Sequence, residues 1–304
     1  MSGLASISPN LCPTLDETDL AVLASIPSPA DGVWEIGPLP LHAYGLLLAI
    51  GVIVAARVAE GRAQRRGFAE GLVSELATKL IIGGVVGARV YHLFTGYDWD
   101  TKGIAGTVKI WEGGLSIWGA VAGGAVALVW SARKRNLDTI LLCDALGPAV
   151  IIGQGIGRWG NYFNQELFGR PTTLPWGLEI LPQHRPTGYS KFETFHPTFL
   201  YESLWCFAAF SIIVVLERSG KLKRGQSFTL YIALYTFERF FMELLRVDDA
   251  TKLLGMRFNA LLSALMFIVS SALFVRFGQI GRLQFTEMSQ EPSEAEDSTE
   301  PVAP

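Results

Sequence analysis

The chain has 304 residues, half of them hydrophobic and only 17% charged, with a net charge of −3. Disorder requires the opposite balance, and soluble domains carry about 25% charged residues. The small net charge gives nucleic acid no electrostatic footing as a partner.

The apolar residues fall in long blocks, the pattern of membrane spans. Seven are read in chain order: 39–56, 72–93, 114–130, 139–156, 197–216, 228–245 and 258–277. Each approaches the ~20 residues that cross a bilayer core as a helix. The second and sixth are interrupted by charges, so they should face protein or water rather than lipid. The first basic residue is Arg57. Without a basic segment ahead of the first block, a cleaved signal peptide is not expected. Arg57, Arg62, Arg65 and Arg66 follow the first block, and Arg133, Lys134 and Arg135 the third. Arg218, Lys221, Lys223 and Arg224 follow the fifth, and Arg276 and Arg282 the seventh. The positive-inside rule then sets the N-terminus outside and the C-terminus in the cytoplasm, an alternation that needs an odd number of spans. Trp34, Trp111, Trp130 and Trp159 fall at expected span ends, as interfacial anchors do.

The expected fold is therefore an all-α integral membrane protein, a seven-helix bundle. Residues 1–38 form an external segment, 39–277 the membrane domain with an external head over about 158–195, and 278–304 a cytoplasmic tail. That tail is acidic, rich in Pro and Ser, and expected to be disordered. Gly83/Gly87, Gly119/Gly123 and Gly153/Gly157 repeat the GxxxG spacing of close helix contacts. The glycine-rich stretch from Gly153 to Gly160 could also present backbone N–H groups to an anion. Cys12, Cys143 and Cys206 show neither CxxC pairing nor zinc-ligand spacing, and the last two read as small buried hydrophobes.

On this topology the polar residues gather in the outer half of the bundle. His42 and Tyr44 open the first span there, and Arg89 and His92 close the second. Arg158 and Asn161 follow the fourth, while His196 and Glu202 begin the fifth. Arg239, Glu243 and Arg246 share one face of the sixth at i, i+4, i+7, with Arg239 about 10 Å below its outer limit. Charges at such depth mark a functional site by default, although ion pairs that simply lock a bundle have the same appearance. Arginine suits two-point phosphate contact and keeps its proton, so an anionic phospholipid headgroup is the obvious ligand. A lipid transporter or scramblase shares the polar interior. It calls, however, for polar groups along the whole transit path and for repeat symmetry, and the sequence has neither.

The motifs carry a resemblance. GRWGNYFNQELFGR (157–170) closely resembles the signature of the prolipoprotein diacylglyceryl transferases. LHAYG (41–45), WEGGLSIWGA (111–120), HPTFLYE (196–202) and RFFMELLR (239–246) follow in that family's order. The resemblance implies a bacterial plasma-membrane enzyme. It would move diacylglyceryl from phosphatidylglycerol to the lipobox cysteine of preprolipoproteins at the outer leaflet, releasing glycerol phosphate and needing no metal or cofactor. It implies Arg158 and Arg239 on the phosphate, Tyr44 and Asn161 orienting headgroup oxygens, and Glu166 beside the site on the head. Glu243 and Arg246 would hold Arg239 or bind the headgroup, with His196 and Glu202 also at the lipid. One departure stands out: Trp118 occupies a position where many members carry a histidine, and indole accepts no proton. His196, His42, Glu166 and Glu243 are the alternative bases.

Overall fold

The computed structural model describes residues 25–290 except 30, 38, 96–102 and 110–112. Cys12, Trp111 and residues 291–304 therefore lie outside the described residues. Within them are seven long helices: α1 (Ala43–Gln64), α2 (Leu72–Thr95), α3 (Ile117–Lys134), α4 (Thr139–Asn164), α5 (Thr198–Arg218), α6 (Gln226–Leu245) and α7 (Phe258–Gln290). Three two-stranded antiparallel ribbons accompany them: β1–β2 (Val33–Ile36, Leu39–His42), β3–β4 (Leu178–Glu179, Thr194–Phe195) and β5–β6 (Lys252–Leu253, Met256–Arg257).

Four helices are long and apolar enough to cross a bilayer: α1, α4, α5 and the Phe258–Gly281 part of α7. The other three are shorter or more charged. The helix α2 carries Glu75, Lys79 and Arg89, α3 has only 18 residues and ends on Arg133 and Lys134, and α6 carries Glu238, Arg239 and Glu243. Leu48, Ile53, Ile82, Val86, Val126 and Ile268 are exposed around the bundle, the inverse of a soluble surface and the arrangement lipid requires.

Each expected span contains a helix, and the differences at the ends have local causes. Leu39–His42 is a strand, and the first helix begins only at Ala43, because Pro40 holds its neighbourhood extended. The fourth helix continues to Asn164, so the 153–160 stretch is helical and spends its N–H groups on the helix rather than on an anion. The head consequently starts at Gln165, whose left-handed backbone (φ 50°) ends α4. The last helix runs on to Gln290, well into the segment expected to be disordered.

At the bundle's centre, α4 packs against α1, α5 and α6, while α2 pairs with α3 and α6 with α7. The α2–α3 contact is the GxxxG kind. A Cβ on Gly83 would lie 2.9 Å from the Gly123 carbonyl oxygen, and one on Gly87 2.8 Å from the Gly123 Cα. Of the third glycine pair only Gly153 is used, against Gly51 of α1; a Cβ on Gly157 would meet nothing.

A polar lattice at the end where α4 and α6 begin sets their register. Asp138 caps α4 by accepting from the N–H groups of Ile140 and Leu141, and it pairs with Arg224 at 2.6 Å. Asp144, inside α4, accepts from the N–H groups of Gly225 and Phe228 and so caps α6 from outside. Pro148 has no N–H for the Asp144 carbonyl, and Arg62 of α1 supplies the donor at 2.9 Å. Arg62 also donates to the Ala145 carbonyl and in two-point fashion to Glu217, both bonds 2.8 Å. Because α4 and α6 run parallel from this anchor, Arg158 stands about 21 Å along α4 from Asp144, and Arg239 about 20 Å along α6 from Gln226. The two arginines thus reach the same level.

Candidate functional site

Arg158 and Arg239 are brought together by one carboxylate. Glu202, one turn into α5 and 2% exposed, lies 2.6 Å from Arg158 Nη2 and 3.4 Å from Arg239 Nη1. Arg158 Nη2 also reaches the Tyr235 hydroxyl of α6 at 3.5 Å. Among the described residues, Arg158 uses only Nη2 and Arg239 leaves Nε unused. Both side chains keep 16% exposure, so each guanidinium retains donors for an anion.

Behind Arg239 lies a second group of charges. Glu243 is completely buried and accepts from Arg239, Arg246 and Arg257. Asp248 takes two bonds from Arg246 (2.7 and 2.8 Å) and one from Arg257 (2.9 Å). Burial favours the neutral acid at Asp248, but the Arg246 bonds and the charges of Arg246 and Arg257 outweigh it, leaving its pKa below the ordinary carboxylate range. Arg246 is thus committed to Asp248 and to Glu243, the carboxylate it shares with Arg239.

The remaining expected residues spread around this core. Asn161, one turn beyond Arg158 on the same face of α4, donates to Glu166 at 2.8 Å, and Asn164 donates to the same oxygen. Left-handed Gln165 and Leu167 turn the chain so that Glu166 comes back beside Asn161. The Tyr44 ring lies against Gly160; any side chain there would collide with it. His196 stands apart. Its Nδ1 contacts the Tyr201 hydroxyl at 3.2 Å, that hydroxyl accepts from Trp176, and burial lowers the imidazole's pKa. His42 ends β2, exposed. Arg89 belongs elsewhere: it donates to the carbonyls of Gly106, Thr107, Gly113 and Gly114 and clamps the α2–α3 connection. Trp118 opens α3 with its ring exposed.

The head is built on its own core of Phe168, Leu178, Ile180, Phe195 and Phe199. It is stitched to the end of α6 by Arg170 N–H to the Leu245 carbonyl (2.9 Å) and Val247 N–H to the Phe168 carbonyl (3.5 Å). The signature segment and the arginine face of α6 are therefore one unit. An apolar groove of about 360 Å³ opens between α5, α6 and α7, lined by Trp205, Ala233, Leu234, Phe237, Phe267 and Phe274. Phe237 immediately precedes the charged face of α6.

Four participants escape a reading by motif, Asp248 among them, two residues past the end of RFFMELLR. Arg257 sits on β6, beyond the last motif; a basic residue ahead of a span on the expected outer side was its only signal. Tyr235 lies one turn before Arg239. Glu238 adjoins Arg239 but is off the i, i+4, i+7 face; it is 5% exposed, and neither carboxylate oxygen has a hydrogen-bond partner among the described residues.

Fold and site together define a multi-pass helical membrane protein with an arginine–carboxylate centre inside its bundle. The model of the prolipoprotein diacylglyceryl transferase family matches residues 31–276, and the chain belongs to that family. It is 46% identical over 250 residues to a phosphatidylglycerol–prolipoprotein diacylglyceryl transferase of Frankia alni, covering 81% of this chain and 66% of that protein. Phosphatidylglycerol–prolipoprotein diacylglyceryl transferase 2 of Streptomyces coelicolor is 43% identical over 256 residues, covering 83% of this chain and 81% of that protein. A phosphatidylglycerol–prolipoprotein diacylglyceryl transferase of Mycobacteroides abscessus is 39% identical over 292 residues, covering 90% of this chain and 84% of that protein.

Proposed function

We propose that this protein transfers the diacylglyceryl group of phosphatidylglycerol to the lipobox cysteine of preprolipoproteins, forming a thioether and releasing glycerol phosphate. Family membership favours this reading over a lipid transporter or scramblase. The observation that carries it is Glu202 holding Arg158 and Arg239 side by side within the bundle.

The chemistry asks for what that pair offers. The thiol sulfur attacks the glyceryl carbon, the carbon–oxygen bond breaks, and the bond's electrons stay on the phosphate oxygen. The proton released from sulfur balances the protonation site gained by the departing phosphate. A cysteine thiol of pKa about 8.5 is only a few per cent ionised at neutral pH. Two fixed guanidiniums stabilise the charge growing on the leaving group and favour the thiolate nearby. Their donors are held in place by Glu202 and Glu243 before substrate arrives, so little reorganisation is needed during the reaction. Tyr44 and Asn161 orient headgroup oxygens, with Glu166 holding Asn161. The groove between α5, α6 and α7 gives the acyl chains a route from the bilayer.

The reading includes seven spans in the bacterial cytoplasmic membrane, the N-terminus outside and the C-terminus in the cytoplasm. The head and the arginine site then face the outer leaflet, where an exported lipobox cysteine arrives. The test is incubation of the purified protein with phosphatidylglycerol and a lipobox peptide, followed by mass spectrometry. A peptide heavier by one diacylglyceryl group, together with glycerol phosphate, is the expected result. Lipid consumption with a Cys→Ser peptide, or lipid flux without thioether, overturns it.

A further inference from the structure

We propose that Glu238 makes binding of the anionic phosphate proton-linked: the arginine site accepts the headgroup with Glu238 in its neutral, protonated form. The proposal rests on the phospholipid reading above and extends it to the charge state of the empty and filled site.

The argument begins with a count. Four arginines (158, 239, 246 and 257) are joined in one chain of ion pairs to three acids (Glu202, Glu243 and Asp248), and a fourth acid, Glu238, lies in the field of Arg158 and Arg239. With every acid ionised the cluster is neutral, and an added phosphodiester leaves it at −1 in a membrane interior. Restoring neutrality takes one proton. Arginine has none to gain, so the proton goes to an acid.

The geometry selects which acid. Glu202 is held by two arginines, Glu243 by three and Asp248 by two. Protonating any of these breaks charge-assisted bonds. Glu238 has none to lose: it is 5% exposed, both oxygens are buried, and it makes no hydrogen bond or ion pair among the described residues. An ionised carboxylate in that condition is costly, and neutralisation removes the cost. Facing Glu238 within electrostatic reach are Arg158 of α4, Glu202 and Cys206 of α5, and Arg239 of its own helix. The apolar run of α7 from Phe258 to Val275 contributes no charge. The arginines that attract an anionic Glu238 are the two assigned to the phosphate. Headgroup and ionised Glu238 therefore compete for the same positive field, and each excludes the other.

Glu238 touches no substrate in this scheme; it is a positioning residue, and its signature is a pH-dependent KM rather than a lost kcat. The experiment measures KM for phosphatidylglycerol and kcat in mixed micelles from pH 6 to 9, with saturating lipobox peptide. Wild type and Glu238→Gln are compared, and Glu238→Leu is added as a neutral side chain unable to hydrogen-bond. For the wild type, KM should rise with pH, approaching tenfold per unit once Glu238 ionises. For Glu238→Gln and Glu238→Leu it should stay near the wild type's low-pH value throughout. The rise of kcat with thiol ionisation should be common to all three. A flat wild-type KM, a variant KM that retains the wild-type slope, or variants uniformly weakened at every pH would each overturn the proposal. Failure of the transferase reading looks different: the wild type then yields no thioether at any pH.

Discussion

Replacing Glu202 with glutamine tests how the site is held together. The substitution keeps the shape and removes the one anion shared by Arg158 and Arg239. At an effective dielectric of 20, the attractions at 2.6 and 3.4 Å are about 6 and 5 kcal/mol before desolvation is subtracted. Removing one partner of a buried pair has a net cost of about 3–5 kcal/mol, because the remaining charges stay buried and uncompensated. At Glu202 two guanidiniums are left, and they repel each other. The expected outcome is a melting temperature lower by roughly 10 °C in detergent. Among molecules that remain folded, kcat/KM for phosphatidylglycerol should fall by about 100-fold, the scale of a misplaced reacting group. Thermal unfolding and single-turnover transfer measure the two effects separately. A Glu202→Gln protein within 2 °C and twofold of the wild type would refute the view that this carboxylate fixes the arginine pair.

Other perturbations separate scaffold from site. Arg62→Met removes the donor for the carbonyls of Asp144 and Ala145 and leaves Glu217 short of its main partner; stability should fall by about 3–5 kcal/mol in urea titration, with kcat of the folded fraction kept. Gly123→Leu drives a side chain into the backbone of Gly83 and Gly87, so little folded protein should be recovered by size-exclusion chromatography, whereas Gly157→Ala should melt like the wild type. The Arg224 hydrogen bond holds the Asp138 carboxyl below its ordinary pKa, with burial opposing. Its stabilisation is therefore full above the unfolded value of about 3.9 and disappears as pH falls through the folded value. Asp138→Ala should lower stability by about 1 kcal/mol at neutral pH through the lost cap, and the gap to wild type should narrow as unfolding is followed to pH values below about 4.

The seven helices were legible because uninterrupted apolar blocks leave few alternatives, and the boundary errors lie where local chemistry intervenes. Pro40 turned the start of the first block into a strand. The glycines at 153–160 read as the end of a span with N–H groups free for an anion yet stayed helical, with Gly153 packed on Gly51 and Gly160 on the Tyr44 ring. The arginines and glutamates of the motifs were visible at helical spacing, and five of them, Arg158, Glu202, Arg239, Glu243 and Arg246, do meet. How each is committed was not visible. Arg89 is spent on four loop carbonyls and Arg246 on Asp248, only two residues further on, because it is the fold of the loop after each helix that supplies the partners. Glu238 was passed over for the same reason. Its meaning depends on having no hydrogen-bond partner among the described residues, and spacing along one helix cannot reveal that.

The central claim is that Arg158 and Arg239 together hold the departing phosphate, and release of glycerol phosphate by their alanine variants tests it most directly. With phosphatidylglycerol and a lipobox peptide, Arg158→Ala and Arg239→Ala should each lose at least 100-fold in kcat while keeping the wild-type size-exclusion profile, and the double variant should be little worse than either single one. Glycerol phosphate and thioether formed at the wild-type rate by either folded variant would contradict the account.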